Sequence, residues 1–243
     1  MKIICVDIGN SSINIGFFRE DEIVAQRIDA IPPKASSDYE SLLNRFMSGK
    51  NIEKDFEGSI ISSVVPELTG ELSKVLLSIC GKEPLILTHK IQTGLRFLVD
   101  EPEKLGADRI AESAGACDIF GSPVAVIDFG TATTVNFIDA ENVYTGGAIM
   151  PGIGLMKKAL HMGTSQLPDV DMSRPLSPLG KDTTGNILSG IIYGTAGAVE
   201  RIVSDVEEAH GERYKLVVTG GCHALVEPFL KKRHYTEPDL ILK

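Results

Sequence analysis

The chain states one pattern twice. Asp7-Ile8-Gly9-Asn10-Ser11-Ser12 closes the apolar run Ile3-Ile4-Cys5-Val6, and Asp128-Phe129-Gly130-Thr131-Ala132-Thr133-Thr134 closes Val124-Ala125-Val126-Ile127. A shift of about 121 residues superposes Asp7 on Asp128, Gly9 on Gly130 and Asn10 on Thr131, together with the strand patterns that follow. Each copy predicts a buried strand ending on a carboxylate, then two strands joined by a short acidic turn, at Glu20-Asp21 in the first and Asp139-Ala140-Glu141-Asn142 in the second. A carboxylate at a strand end, followed by glycine and small hydroxyl residues, suits phosphate and its metal ion. Two copies therefore point to two similar halves that face each other across a nucleotide.

The remaining elements follow the same plan. In the first half, Ser36 or Ser37 is placed to cap a helix running to about Met47 with Gly49 as its stop. Ser59 to Val65 reads as a strand, Pro66 opens a helix ended by Gly81, and Pro84 to Thr88 is a further strand. Residues 89–105 read as irregular. In the second half, Gly152 to His161 reads as helix, 163–181 as a long Pro-, Gly- and Ser-rich loop, and Asp182 to Ala209 as a long helix whose glycines imply close packing. Tyr214 to Val218 is a strand, and Gly221 to Lys232 a last helix, with Lys231-Lys232-Arg233-His234 at its dipole end. The end of the chain, Leu240-Ile241-Leu242-Lys243, suggests an abbreviated final strand.

Composition narrows the function. A net charge of -9 argues against a nucleic-acid partner. The four cysteines, Cys5, Cys80, Cys117 and Cys222, form no CxxC pair and read as reduced thiols of a cytoplasmic protein. The five histidines show no metal-binding spacing, and Cys222-His223 is a lone adjacent pair. The N-terminal apolar run is too short for a signal peptide and is interrupted by Asp7; no stretch approaches a membrane span, so no membrane association is expected.

The phosphate chemistry can be read residue by residue. Gly9 and Gly130 lack a Cβ, so main-chain N–H groups can approach phosphate oxygens. Asn10, Ser11, Ser12, Thr131, Thr133 and Thr134 add short side-chain donors. Asp7 and Asp128 would repel phosphate and make sense as holders of a bridging cation. Other phosphate signatures fail: there is no G-x-x-x-x-G-K-[ST], and Gly152-x-Gly154 does not continue as a dinucleotide fingerprint. Asp128-Phe129-Gly130 spells a protein-kinase motif, but neither the catalytic-loop signature nor the lysine strand accompanies it.

A third motif occurs once, between the copies. Gly106-Ala107-Asp108-Arg109 opens a helix-like stretch, where amides and Arg109 would face an anion and Asp108 could meet a substrate hydroxyl. The repeated β-β-β-α-β-α order resembles the actin, hexokinase and Hsp70 ATPase superfamily. The motifs together resemble type III pantothenate kinases. Asp-x-Gly-Asn, Gly106-Ala107-Asp108-Arg109 and Asp128-Phe129-Gly130-Thr131-Ala132-Thr133-Thr134 carry that resemblance. So do Gly146-Gly147-Ala148-Ile149-Met150-Pro151-Gly152, Gly163-Thr164 with Leu167-Pro168, and Thr219-Gly220-Gly221.

The resemblance implies an α/β fold of two similar actin-like (ribonuclease H-like) lobes, each a mixed β-sheet flanked by helices, with the nucleotide cleft between them. The N-terminal lobe, 1–118, would carry the first phosphate loop and the Gly-Ala-Asp-Arg motif. The C-terminal lobe, 119–243, would carry the second phosphate loop and the adenosine side. The implied activity is transfer of the ATP γ-phosphoryl group to pantothenate, the first committed step toward coenzyme A. Asp7, Ile8, Gly9, Asn10, Ser11, Ser12, Ile13 and Asn14 would form the first loop, Thr131 would contact phosphate, and Gly220 and Gly221 would line the adenosine side. Asp108 would be the general base, with Gly106, Ala107 and Arg109 holding pantothenate. Asp128 would ligate a monovalent cation, potassium or ammonium, and Mg2+ would travel with ATP. Thr183, and with it Thr164, would reach the neighbouring subunit's substrate site, which implies a homodimer. Ser11 replaces the family's usual threonine and keeps its hydroxyl. Val99 replaces a substrate-contacting tyrosine of many members, so that contact is not carried over. Two other readings fit the same motifs: a nucleotide-binding regulator without catalysis, and a kinase for another small hydroxyl compound.

Overall fold

The structure is a computed structural model that describes residues 2–19, 22–30 and 35–243; the acidic turn expected at Glu20-Asp21 lies outside the described residues. The first half runs β1 (Lys2–Ile8), β2 (Ser12–Arg19), β3 (Glu22–Asp29), α1 (Ser36–Gly49), β4 (Gly58–Ser63), α2 (Pro66–Cys80) and β5 (Leu85–Ile86). It continues through β6 (Arg96–Phe97) and α3 (Ala107–Phe120). The second half runs β7 (Val124–Phe129), β8 (Ala132–Ile138), β9 (Val143–Pro151), α4 (Ile153–Met162), α5 (Thr183–His210), β10 (Lys215–Thr219), α6 (His223–Val226) and β11 (His234–Thr236).

Two mixed sheets result, and the repeat is visible in both. The first has the order β3-β2-β1-β4-β5; the second, β11-β10-β7-β8-β9-β6, contains the same order in mirror listing plus β6 beside β9. In each, the strand ending in the aspartate is central, antiparallel to the next strand and parallel to a later one: β1 to β2 and β4, β7 to β8 and β10. A central strand has neighbours on both edges, so its carboxylate is presented from the most constrained backbone in the sheet.

Helices cover these sheets because their apolar residues recur at helical spacing. Tyr39, Leu43 and Met47 of α1 and Leu72 and Leu76 of α2 pack with Ile4, Val6 and Ile8 of β1. Leu188, Ile191, Val199 and Val203 of α5 pack with Ala125, Ile127 and Phe129 of β7. Each fully buried aliphatic side chain contributes roughly 1.5–3 kcal/mol, so these stripes hold the helices in place. The chain divides into two compact units, Met1–Thr93 with Glu101–Gly115 and Ile241–Lys243, and Gly94–Asp100 with Ala116–Leu240.

Several expectations need correction. α1 is preceded by Ala35, which provides no side-chain cap; the Ser36 N–H donates instead to Glu71 Oε2 of α2 at 3.1 Å. The 89–105 stretch is not wholly irregular, since β6 pairs parallel to β9. Of the glycines of α5 only Gly185 marks close packing, since a Cβ there would stand 3.2 Å from the Gly180 Cα; Gly190, Gly194 and Gly197 face open space. The last helix stops at Val226, where Glu227–Phe229 becomes a 3-10 turn containing Pro228; the last strand, β11, is three residues long, and Leu240–Leu242 beyond it is 3-10. The basic run Lys231-Lys232-Arg233-His234 therefore ends no helix. Its Lys232 main chain donates to Glu200 at 2.6 Å and its Lys232 Nζ pairs with the buried Glu207 at 2.7 Å, which fastens this segment to α5.

Candidate active site

The first loop is the turn between β1 and β2. Gly9 N–H donates to Ser12 O at 2.9 Å, which closes it. Asn10 and Ser11 are exposed, with Gly9 and Ser12 half-buried beside them. Ile8 and Ile13 are fully buried in the core, so only their main chain is available to a ligand. Asp7 is 5% exposed. Asn14 Nδ2 donates to its Oδ2 at 3.1 Å and Ser62 Oγ donates to its Oδ1 at 3.2 Å. Burial pushes the Asp7 carboxyl up to about 7; the Asn14 hydrogen bond opposes this, the Asp108 charge adds to it, and Ser62 and the Arg27 charge oppose it.

Asp108 lies in the first turn of α3, in the same unit as Asp7. Its Oδ1 accepts the Arg109 main-chain N–H at 2.8 Å. The carboxylate lies so close over Gly106 that a Cβ there would collide with Oδ1, which is the physical reason for glycine at that position. Ala107 is buried; Asp108 and Arg109 are half-buried. The structure thus brings Gly106, Asp108 and Arg109 together and sets Asp108 within electrostatic reach of Asp7.

The second loop is shorter. Asp7 pairs with Asn14, but Asp128 pairs with Thr134, so the second turn has one residue fewer and the repeat slips out of register across it. Gly130 N–H donates to Ala132 O at 3.1 Å, and Gly152 N–H donates to Thr131 O at 3.1 Å, which ties the loop to the residue before α4. Thr131 is exposed. Asp128 is half-buried and walled by two glycines: a Cβ on Gly130 would stand 2.8 Å from Oδ2, and one on Gly220 would collide with Oδ1. Gly220 also has φ +94°, which a side chain rarely tolerates, and its space is taken by the Asp128 carboxylate and the Phe129 main chain. Gly221 is exposed.

Thr183 begins α5 and is exposed. Asp182 caps this helix by accepting the Gly185 N–H at 2.7 Å and also pairs with Arg174 at 2.6 Å. Thr183 lines a largely apolar groove of 610 Å³ with Met156, Leu160, Leu167, Asn186 and Gly190. Thr164 is exposed, and its hydroxyl donates to Leu160 O at 2.8 Å; it does not line that groove. Ser62 is the residue that sequence reasoning missed. It reaches Asp7 only because β4 runs parallel beside β1 with Asp7 opposite Ser62.

The fold recurs among solved structures of other proteins. A ROK hexokinase from Thermus thermophilus has a similar fold, with a TM-score of 0.52 and 10% identity, covering 100% of this chain and 96% of that one. The family model for type III pantothenate kinases matches residues 3–205, and the chain belongs to that family. Proteins named type III pantothenate kinase are similar along nearly the whole chain. That of Agathobacter rectalis is 36% identical, covering 99% of this chain and 94% of the relative. That of a Roseiflexus species is 39% identical, covering 99% and 95%. Membership makes the chain an ATP-dependent pantothenate kinase of coenzyme A biosynthesis.

Proposed function

We propose that the primary hydroxyl oxygen of pantothenate attacks the γ-phosphorus of ATP in line, and that Asp108 accepts the hydroxyl proton as general base. The bond from γ-phosphorus to the bridging oxygen breaks, and ADP leaves. The observation that carries this reading is the placement of Asp108 at the start of α3, fixed by the Arg109 amide and within charge range of the nucleotide-loop carboxylate Asp7. Gly106, Ala107 and Arg109 hold pantothenate around it, Arg109 facing the substrate carboxylate.

The Gly9–Ser12 main chain and the Asn10, Ser11 and Ser12 side chains receive the phosphates of ATP, and Thr131 adds a hydroxyl from the second loop. Ile8 and Ile13 contribute main chain only, and Asn14 acts by holding Asp7. Asp7 is an oriented, hard oxygen donor, which fits magnesium accompanying ATP. Asp128, set against two glycines, is likewise an oxygen donor, and it fits potassium or ammonium. Bound there, such cations supply counter-charge to the phosphates. Gly220 and Gly221 line the adenosine side, and Gly220 also makes room for Asp128.

The 1–118 lobe carries the first loop and the base, and the 119–243 lobe carries the second loop and the adenosine side. The protein acts in the cytoplasm as a homodimer in which Thr183, and with it Thr164, complete the partner's substrate site. The groove holding Thr183 and the exposed, apolar Met162 and Leu179 support this reading. Among the described residues no helix is long and apolar enough to cross a membrane.

The test is ADP release with and without pantothenate. Release is expected only with pantothenate, and Asp108→Asn is expected to lower kcat by about 10²- to 10⁴-fold with little change in ATP affinity. Near-normal turnover by the variant would remove Asp108 from the base role.

A further inference from the structure

We propose that Ser62 is a positioning residue of the phosphoryl-transfer site, acting through Asp7. The proposal rests on the kinase reading above, because it assigns Asp7 a task in nucleotide binding. β4 lies parallel to β1 with Ser62 directly opposite Asp7, and both residues are 5% exposed. The Ser62 hydroxyl donates to Oδ1 at 3.2 Å, while Asn14 donates to Oδ2 at 3.1 Å from the antiparallel side. Each carboxylate oxygen is thereby held by one donor, one from each neighbouring strand. Each oxygen has two lone pairs, so each keeps one for another partner. With both oxygens tethered, rotation about the terminal torsion, which is otherwise broad for aspartate, is suppressed. The carboxylate plane is then set before ATP and its cation arrive, which is where preorganisation adds affinity.

The neighbouring Ser63 is built for something else. Its hydroxyl accepts from Thr69 at 2.7 Å and from the Val65 main chain at 3.0 Å, which fixes the entry to α2. Two adjacent serines of one strand therefore separate positioning from stability. The register explains the division: side chains alternate faces along β4, so only Ser62 shares the face of the Asp7 carboxylate.

The experiment uses the full chain with Ser62→Ala, Ser62→Thr and Ser63→Ala. It combines steady-state kinetics with calorimetric binding of magnesium and a non-hydrolysable ATP analogue, without pantothenate. Ser62→Ala is expected to weaken analogue binding and raise the KM for magnesium-ATP about 10-fold, the effect of losing a hydrogen bond to a charged group, with the pantothenate KM changed less than about 2-fold. Ser62→Thr keeps the hydroxyl and is expected to restore binding. Ser63→Ala is expected to lower the Tm while leaving analogue binding at the wild-type value. Wild-type binding by Ser62→Ala, or equal losses in Ser62→Ala and Ser62→Thr, would overturn the proposal. If the wild-type chain released no ADP with pantothenate, the kinase reading would fail instead, and the calorimetry would still report on Ser62.

Discussion

In the first hairpin Asp7 is buried, with a side-chain donor on each carboxylate oxygen and a four-residue turn beyond it. In the second, Asp128 is half-buried, is flanked by the vacant side-chain positions of Gly130 and Gly220, and precedes a turn one residue shorter. The strand geometry is the same in both, down to an antiparallel partner on one edge and a parallel partner on the other. What differs is how the carboxylate is held. Asp7 lies between donor side chains of the two neighbouring strands, whereas Asp128 fills the side-chain positions of two glycines. A duplicated scaffold thus supports two unlike oxygen sites, with the divergence confined to turn length and the neighbours of one aspartate.

The largest effect that would break this contrast lies in the first hairpin. Asp7→Asn is expected to lower kcat/KM for magnesium-ATP by about 10³-fold, since a preorganised charge at the phosphates is lost. If Asp7→Asn and Asp128→Asn lowered that parameter equally, at saturating potassium, the two hairpins would not have separate tasks.

The same residue gives a stability test. Burial raises the Asp7 carboxyl from 3.8 to about 7, so between these values the folded chain binds a proton that the unfolded chain releases. Its penalty is absent below about pH 4, grows as pH rises through the window, and is complete above about pH 7, at roughly 4 kcal/mol for this shift. In metal-free protein, Asp7→Asn is expected to stabilise the chain against urea at pH 8, with the gain shrinking toward pH 4. A gain independent of pH would show that Asp7 does not carry the strain of burial.

Glycine replacements sharpen the contrast at lower cost. Gly220→Ala meets both the Asp128 carboxylate and a φ of +94°, and is expected to lose about 3 kcal/mol of stability in urea unfolding. Gly9→Ala brings a Cβ to 3.3 Å from Ser12 O and is expected to lose about 1 kcal/mol or less. Gly221→Ala, on the exposed neighbour of Gly220, is expected to stay within about 0.5 kcal/mol of wild type. Equal losses at Gly9 and Gly220 would deny that the second carboxylate depends on missing side chains.

Much of this was legible because it is local. β1 and β7 read as apolar runs, the hairpins as paired strand patterns, and α2 from Pro66 at its start and Gly81 at its end. The motif Gly106-Ala107-Asp108-Arg109 pointed to Asp108, and Gly106 proves to leave the room that Asp108 fills. What escaped depends on distant pairing. β6 is two residues long and exists only because β9 offers an edge. Ser62 meets Asp7 across a separation of 55 residues. That Gly220 stands against Asp128 follows only once β10 is set beside β7. The last helix ends well short of Lys232 because Pro228 supplies no N–H for a continued helical ladder.

The unequal roles of the two aspartates are tested most directly by the initial rate of pantothenate-dependent ADP release in potassium and in sodium, at fixed magnesium-ATP, for wild type and Asp128→Asn. The wild-type rate is expected to be about 10-fold higher in potassium, and the two salts to give equal rates in the variant, as loss of a charged cation ligand would require. A potassium preference that survives in Asp128→Asn, or its absence from the wild type, would contradict the assignment of the second hairpin to a monovalent cation.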